Sequence, residues 1–257
     1  MKKFVATALA VIALGAGQSH ADSSKTLRIG VEGAYPPFSS ITPDGQLEGF
    51  DIDIAHALCD EMKVKCVLVS QDWDGMIPAL LIRKFDAIVA SMSITQERKK
   101  KVDFTDKYYQ IPSRFVAAKG KEFSFSAEGL DGLTVGVQRA STHDKYVTDN
   151  FPNAEIKRYG SQDDAFLDLR SGRVDLVINN IPAVKKGLLD KEGGSAFDFT
   201  GPLIADQQWF GEGVGIAIRK NSPELRQQFN TAIQKIRTNG VYQQIQDKYF
   251  DFDIYGG

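Results

Sequence analysis

Ser91, Ser93 and Arg98 have side chains that hold anions, and they lie close together in Ala90-Ser91-Met92-Ser93-Ile94-Thr95-Gln96-Glu97-Arg98. The apolar run Ala87-Ile88-Val89-Ala90 predicts a buried strand. Thr95 follows as an N-cap, with a helix starting at Gln96. A strand end, a polar turn and a helix start then meet at one point. Free backbone N–H groups and the positive end of a helix dipole collect there, which suits an anion. Arg98 adds a planar, permanently charged fork that matches a carboxylate with two parallel hydrogen bonds. The chemistry expected is a cradle for the α-carboxylate of an amino acid. The plain alternative is a surface helix start with a solvated arginine.

Several elements must position this cradle. Leu27 to Val31 predicts a first strand, running into Glu32-Gly33-Ala34-Tyr35-Pro36-Pro37-Phe38, where the two prolines are expected to forbid regular structure. Glu32 and Tyr35 therefore sit on a loop beyond a strand end, where open α/β sheets bind ligands. Phe50, Ile54, Ala57 and Leu58 fall at helical spacing. Val64 to Val69 predicts a strand, Met76 to Ile82 a short helix and Asp86 to Ala90 the strand before the cradle. This alternation implies a mostly parallel sheet. Residues 104–115 break the alternation, and Val116 to Lys119 predicts a crossing strand. A second α/β series follows: strands at Leu133 to Val137, Ile156 to Tyr159 and Asp175 to Ile178, with a helix at Gln162 to Arg170 and Asn179-Asn180 closing it. Strand, Ala140-Ser141-Thr142, helix in this half echoes strand, Ser91-Met92-Ser93, helix in the first. The tail returns as a strand, Val214 to Arg219, a long amphipathic helix, Pro223 to Asn239, and a shorter one, Tyr242 to Tyr249. Two such lobes with a cleft between them would bury a small polar solute and close by hinge motion.

Lys2-Lys3, the short apolar stretch from Phe4 to Ala16 and the small residues Ser19-His20-Ala21 form the pattern of a cleaved secretory signal, residues 1–21. The apolar run is too short to span a bilayer. Without Lys2 and Lys3 the balance moves from 31 basic and 33 acidic residues to 29 and 33, net −4. A mildly acidic chain without long basic runs argues against nucleic acid as a partner. Cys59 and Cys66 are the only cysteines, and in an exported protein a lone close pair is expected to join. Only His56 and His143 remain after processing, in separate segments, so neither a metal site nor a cofactor is expected.

The ordered set of short motifs carries a resemblance. It comprises Tyr35-Pro36-Pro37-Phe38, Gly49-Phe50-Asp51-Ile52-Asp53, Ile77-Pro78-Ala79-Leu80, Asp86-Ala87-Ile88, Ser91-Met92-Ser93-Ile94-Thr95 with Arg98, Gly172-Arg173-Val174-Asp175 and Lys248-Tyr249-Phe250-Asp251. From Leu27 to Gly257 the chain resembles the extracytoplasmic solute-binding proteins of polar amino-acid ABC importers, the lysine/arginine/ornithine- and histidine-binding group. Cys59 and Cys66 also match the disulfide of that group. The resemblance implies an α/β type II periplasmic binding protein of two Rossmann-like lobes. Lobe 1 would comprise residues 22–110 and 212–257, lobe 2 residues 113–209, with a two-segment hinge near 110–113 and 209–212. It further implies that Arg98, Ser91 and Ser93 hold the α-carboxylate, helped by the backbone of Ser141 and Thr142. Tyr35 and Trp73 would sandwich the solute side chain. A guanidinium suits that slot, gaining roughly 1–2 kcal/mol on desolvated aromatic faces. Glu32 would accept hydrogen bonds from the cationic end. Ala90 joins this ligand-binding set, and Gln138 and His143, where the chain departs from the group, complete it.

One departure bears on the solute. The basic amino-acid binders carry an Asp against the α-ammonium where this chain has Asn180. Counting Glu32 as −1, Arg98 as +1 and Asn180 as neutral leaves the α-ammonium of arginine without a countercharge, which costs kcal/mol when buried. A solute with its own second carboxylate on the α-nitrogen, an opine such as octopine or nopaline, avoids that cost. Alternatively Asn180 accepts the ammonium through its carbonyl oxygen. The function expected is capture of arginine or an N-carboxyalkyl arginine by a monomer in the periplasm, for delivery to an inner-membrane ABC permease. Free lysine, ornithine or histidine is the alternative solute. A dehydratase on the same fold, with Glu32 as its acid, is the enzymatic alternative, less suited to an aromatic slot beside an arginine.

Overall fold

A computed structural model describes residues 26–256; the expected signal peptide lies outside them. Strand β1 (Thr26–Val31) buries Leu27, Ile29 and Val31 and runs into a small three-stranded flap of β2 (Ala34–Tyr35), β3 (Ser39–Ile41) and β4 (Leu47–Glu48). Helix α1 (Phe50–Glu61) turns Phe50, Ile54, Ala55 and Leu58 inward. It starts at Gly49, whose φ of 128° and close approach to the Phe38 backbone exclude any side chain. Strand β5 (Lys65–Ser70), a 3₁₀ turn at Trp73–Gly75, α2 (Met76–Leu81), β6 (Ala87–Ile88), α3 (Gln96–Lys99) and β7 (Asp103–Tyr109) follow. The second half consists of β8 (Ser113–Ala118), β9 (Thr134–Gln138), α4 (Thr142–Asn150), β10 (Glu155–Tyr159), α5 (Gln162–Arg170), β11 (Leu176–Asn180), α6 (Ile181–Val184) and β12 (Phe197–Ile204). The chain then returns through α7 (Gln207–Phe210), β13 (Val214–Ile218), α8 (Pro223–Thr238) and α9 (Val241–Tyr249).

The strands form two five-stranded sheets, ordered β5-β1-β6-β13-β7 and β10-β9-β11-β8-β12. The chain passes between them twice, from Tyr109 to Ser113 and from Ile204 to Val214. The first sheet takes its fourth strand from the tail, as expected from the return of residues 214–219. Both sheets are mixed rather than mostly parallel: β1 pairs parallel with β5 and β6, whereas β13 runs antiparallel to β6 and β7. The second sheet repeats this, parallel at β9 with β10 and β11, antiparallel at β8 with β11 and β12.

The structure corrects the sequence expectation in four further places. Residues 104–115 contain most of β7 and the start of β8. Two register shifts against β13 leave β7 without a clean alternation of buried and exposed residues, which hid it from a period-two pattern. Ala34 and Tyr35 form strand β2, paired with Ser40 and Ser39, because Pro36 and Pro37 make the turn of this hairpin rather than interrupt it. Strand β6 is only two residues long, and Asn180 lies within β11. Cys59 and Cys66 form a disulfide tying α1 to β5, as expected. Among the described residues no helix is long and apolar enough to cross a membrane, and no group of His, Cys, Asp and Glu is placed to hold a metal.

Candidate functional site

The turn after β6 is built from local chemistry. The Thr95 side chain caps α3, accepting from the Arg98 N–H at 3.2 Å. Helix α3 is a single turn of four residues, so its dipole adds little, and the anion-holding capacity expected here rests on the Arg98 charge. Arg98 Nη1 donates to Ser93 O at 3.1 Å, and Arg98 Nη2 reaches Ala140 O, on the second sheet's side, at 3.4 Å. The turn is braced by the second crossing: Ile94 N donates to Gly213 O at 2.8 Å and Gly215 N to Met92 O at 3.1 Å. Gly211, at φ 74°, is needed because any Cβ there would strike Ile94 O.

The matching turn after β9 closes the facing wall. The Ser141 hydroxyl caps α4, accepting from Asp144 N at 3.0 Å. The echo read in the sequence extends to backbone geometry: Ser91 and Ala140, one in each turn, both hold left-handed φ values, 53° and 58°. Such values cost a non-glycine residue of order 1–3 kcal/mol unless the surroundings fix them. At Ser91 that fixing comes from Asp51, which lies fully buried at the start of α1. Its carboxylate accepts from Ser91 Oγ and from the Tyr108 hydroxyl, each at 2.8 Å. Burial pushes the Asp51 pKa up to about 7 against these bonds.

Glu32, Tyr35, Trp73, Ser91, Ser93, Arg98, Gln138, Ser141, Thr142, His143 and Asn180 line one cavity between the sheets, with about 360 Å³ of space free of protein atoms, its opening included. These are the residues read from the sequence, with one exception. Ala90 is 1% exposed and belongs to the apolar cluster of Met76, Leu80 and Met92, behind the cavity wall. The expected aromatic slot is also modified. Trp73 lies under the Arg98 guanidinium, 5.1 Å from ring centre to carbon, while Tyr35 stacks on Phe38. The Ser91 hydroxyl spends its hydrogen on Asp51, so Ser91 Oγ offers the cavity a lone pair rather than a donor.

Among the described residues, four polar side-chain contacts join the two walls. Gln138 Nε2 donates to Glu32 Oε1 at 2.5 Å and the Tyr35 hydroxyl to Asn179 Oδ1 at 2.5 Å. Arg139 pairs with Asp74, and Arg98 reaches Ala140 as above. The cleft is therefore closed.

Glu32 is 7% exposed, and burial raises its pKa to about 7 although the Gln138 bond opposes this; Asp51, Asp163 and Asp72 push in the same direction as burial. Burial of the Arg98 guanidinium lowers its pKa to about 10. Neither Glu32 nor Arg98 takes part in an ion pair among the described residues. One cavity thus presents a carboxylate without a cation and a guanidinium without an anion. His143, pushed down to about 3 by burial, is neutral.

Sequence reasoning missed Asp51, Asn179 and Ser113 as supports of the site. Asp51 stood within the Gly49-Phe50-Asp51 motif but carried no assigned role. Asn179 receives both the Tyr35 hydroxyl and the Asn180 N–H. Ser113 gave no local signal.

The chain is similar to known binding proteins along most of its length. It is 52% identical over 236 residues to an L-arginine-binding protein of Pseudomonas aeruginosa, covering 91% of each chain. It is 38% identical over 257 residues to the lysine/arginine/ornithine-binding periplasmic protein of Escherichia coli K12, covering 99% of each. Among solved structures it superposes on a Salmonella typhimurium periplasmic binding protein described as highly arginine-specific, with a TM-score of 0.82 and 33% identity over 88% of this chain and 99% of that one. The model of the bacterial extracellular solute-binding proteins, family 3, matches residues 27–252, and the chain belongs to that family.

Proposed function

We propose that the protein captures a free cationic amino acid, arginine in first place, in the closed cleft and delivers it in the periplasm to an inner-membrane ABC permease. The observation that carries this is the pair of unmatched charges in one cavity. Arg98 suits the α-carboxylate and Glu32 the guanidinium, each in a desolvated place where pairing has its largest effect. The α-ammonium is also provided for. Ser91 Oγ offers it a lone pair, with the Asp51 carboxylate directly behind. Asp51 was missing from the charge count made on the sequence, and its presence removes the need for a solute carrying a second carboxylate. The names of the relatives point the same way. The lobes would be residues 22–110 with 212–257, and 113–209, hinged at the two crossings, and the protein would act as a monomer.

An N-carboxyalkyl arginine is the second candidate, on one observation. Ser113 Oγ lies 3.0 Å from Asn180 Oδ1, and where it donates to that oxygen the Asn180 NH₂ is left as a donor for an added carboxylate. Calorimetry with arginine, lysine, ornithine, histidine, octopine and nopaline decides between them. Tight binding of arginine with octopine and nopaline ignored is expected. Preference for the opines would move the assignment to the second candidate, and no binding of any of them would reject both. Binding rather than turnover is proposed for Glu32, which is locked to Gln138. Conversion of a cyclohexadienyl substrate by the purified protein would overturn that.

A further inference from the structure

Ser113 is the first residue of β8, immediately after the first crossing, and is fully buried. It pairs in register with Asn180 across the antiparallel β8–β11 ladder. Its hydroxyl lies 2.8 Å from His143 Nε2 and 3.0 Å from Asn180 Oδ1. Ser113 does not itself line the cavity, whereas both of its partners do.

A hydroxyl has one hydrogen, so this one must donate to one neighbour and accept from the other. The neutral imidazole of His143 has one N–H and one lone pair, and its tautomer decides which way the chain of bonds runs. With hydrogen on Nε2, His143 donates to Ser113, Ser113 donates to Asn180 Oδ1, and the amide NH₂ is left for the cavity. With Nε2 bare, Ser113 donates to His143 and accepts from the amide NH₂, and Oδ1 is left for the cavity. In both arrangements the amide plane is held, and in neither can it swing freely.

The part of the solute that Asn180 meets follows from its neighbours. Arg98 donates to Ser93 O, and Ser93 and Asn180 together line a second small cavity beside the first. The Arg98 charge also acts on His143. Asn180 therefore stands at the carboxylate end of a bound amino acid, where the α-nitrogen is.

We propose that Ser113 is a positioning residue for solute selection: donating to His143 Nε2 and accepting from the Asn180 NH₂, it holds the amide with Oδ1 towards the α-ammonium of the bound amino acid. This rests on the assignment of the cavity to a cationic amino acid. Without the hydroxyl, Asn180 loses its fixed orientation and the α-nitrogen loses an aligned partner. The rest of the solute keeps Arg98 and Glu32.

The test compares arginine with 5-guanidinopentanoate, which is arginine without its α-nitrogen, by calorimetry on wild type, Ser113→Ala, Asn180→Ala and the double variant. Ser113→Ala is expected to weaken arginine at least about tenfold and to leave 5-guanidinopentanoate within about twofold. In the Asn180→Ala background, Ser113→Ala is expected to add no further loss, because the pair acts as a unit. Equal weakening of both ligands would mean that Ser113 serves cleft closure or the fold, and would overturn the proposal. Arginine binding unchanged by Ser113→Ala would also overturn it. Wild type that fails to bind arginine would remove the cationic amino-acid assignment and this proposal with it. Ser113→Cys, similar in size and a weaker donor, carries the same comparison if the alanine variant does not fold.

Discussion

Glu32→Gln should make the empty protein more stable and the binder worse. Glu32 is 7% exposed in the closed cleft, and burial raises its carboxyl from 4.5 to about 7. A change of that size corresponds to about 3 kcal/mol lost above neutral pH by forcing the buried group to ionise. Glutamine has nearly the same shape, can still accept from Gln138 and carries no charge. Because the folded pKa is raised, the stability supplied by the protonated group is complete below about pH 4.5 and is lost as pH rises through about 7. The advantage of Glu32→Gln over wild type should accordingly be absent near pH 4.5 and full at pH 8. For a chain of this size about 3 kcal/mol corresponds to about 6–12 °C in melting temperature, less whatever cleft opening recovers by rehydrating Glu32. Arginine binding should move the other way, since a guanidinium then meets a neutral amide. Wild-type affinity for arginine should itself fall as pH drops below about 7, where Glu32 takes up a proton. Melting curves of both empty proteins at pH 4.5 and pH 8, with calorimetry at pH 8, read all of this. A Glu32→Gln protein no more stable than wild type at pH 8, or one that keeps wild-type arginine affinity, would refute the assignment of Glu32 as the unmatched carboxylate.

Arg98→Ala should weaken arginine binding by about two to four decades, because a carboxylate buried without its partner costs about 3–5 kcal/mol; affinity retained within a few-fold would place the cradle elsewhere. Asn180→Asp should weaken an N-carboxyalkyl arginine, whose added carboxylate it would face, and should strengthen free arginine by supplying a countercharge to the ammonium. Calorimetry of that variant against octopine and arginine reads both signs. Opening the Cys59–Cys66 bridge by Cys59→Ala with Cys66→Ala should lower stability by about 2 kcal/mol, since the loop spans only seven residues, and thiol titration of denatured, unreduced wild type should find no free thiol.

The cavity wall and the two crossings between the sheets are built from adjacent pieces of chain. Met92 and Ile94 pair with residues 212–215 at the end of the second crossing, and Ser113 follows directly on the first. Arg139 with Asp74 and Tyr35 with Asn179 add contacts between the walls without being supplied by the solute.

Much of the molecule is decided within short stretches of chain. The Thr95 cap, the inward face of α1, the long amphipathic α8 and the Cys59–Cys66 pair depend on neighbours a few residues away, so spacing alone reveals them. Part of the cavity lining was legible too: Glu32, Tyr35 and the Ser91-to-Arg98 turn from strand ends followed by polar turns at one edge of an α/β sheet, and the rest, Trp73 and Asn180 among them, through the family resemblance. Their partners were not. Asp51 meets Ser91 across 40 positions and Tyr108 across 57, and Ser113 meets Asn180 across 67. Nothing local marks a residue as buried beneath another segment's turn. The irregular β7 becomes a strand only because β13, more than a hundred residues later, inserts between it and β6. The sequence pointed to the side chains that line the cavity. Which of their hydrogens and lone pairs remain free for it was decided by tertiary packing, because a hydroxyl or an amide has few bonds to give and distant residues take the first of them.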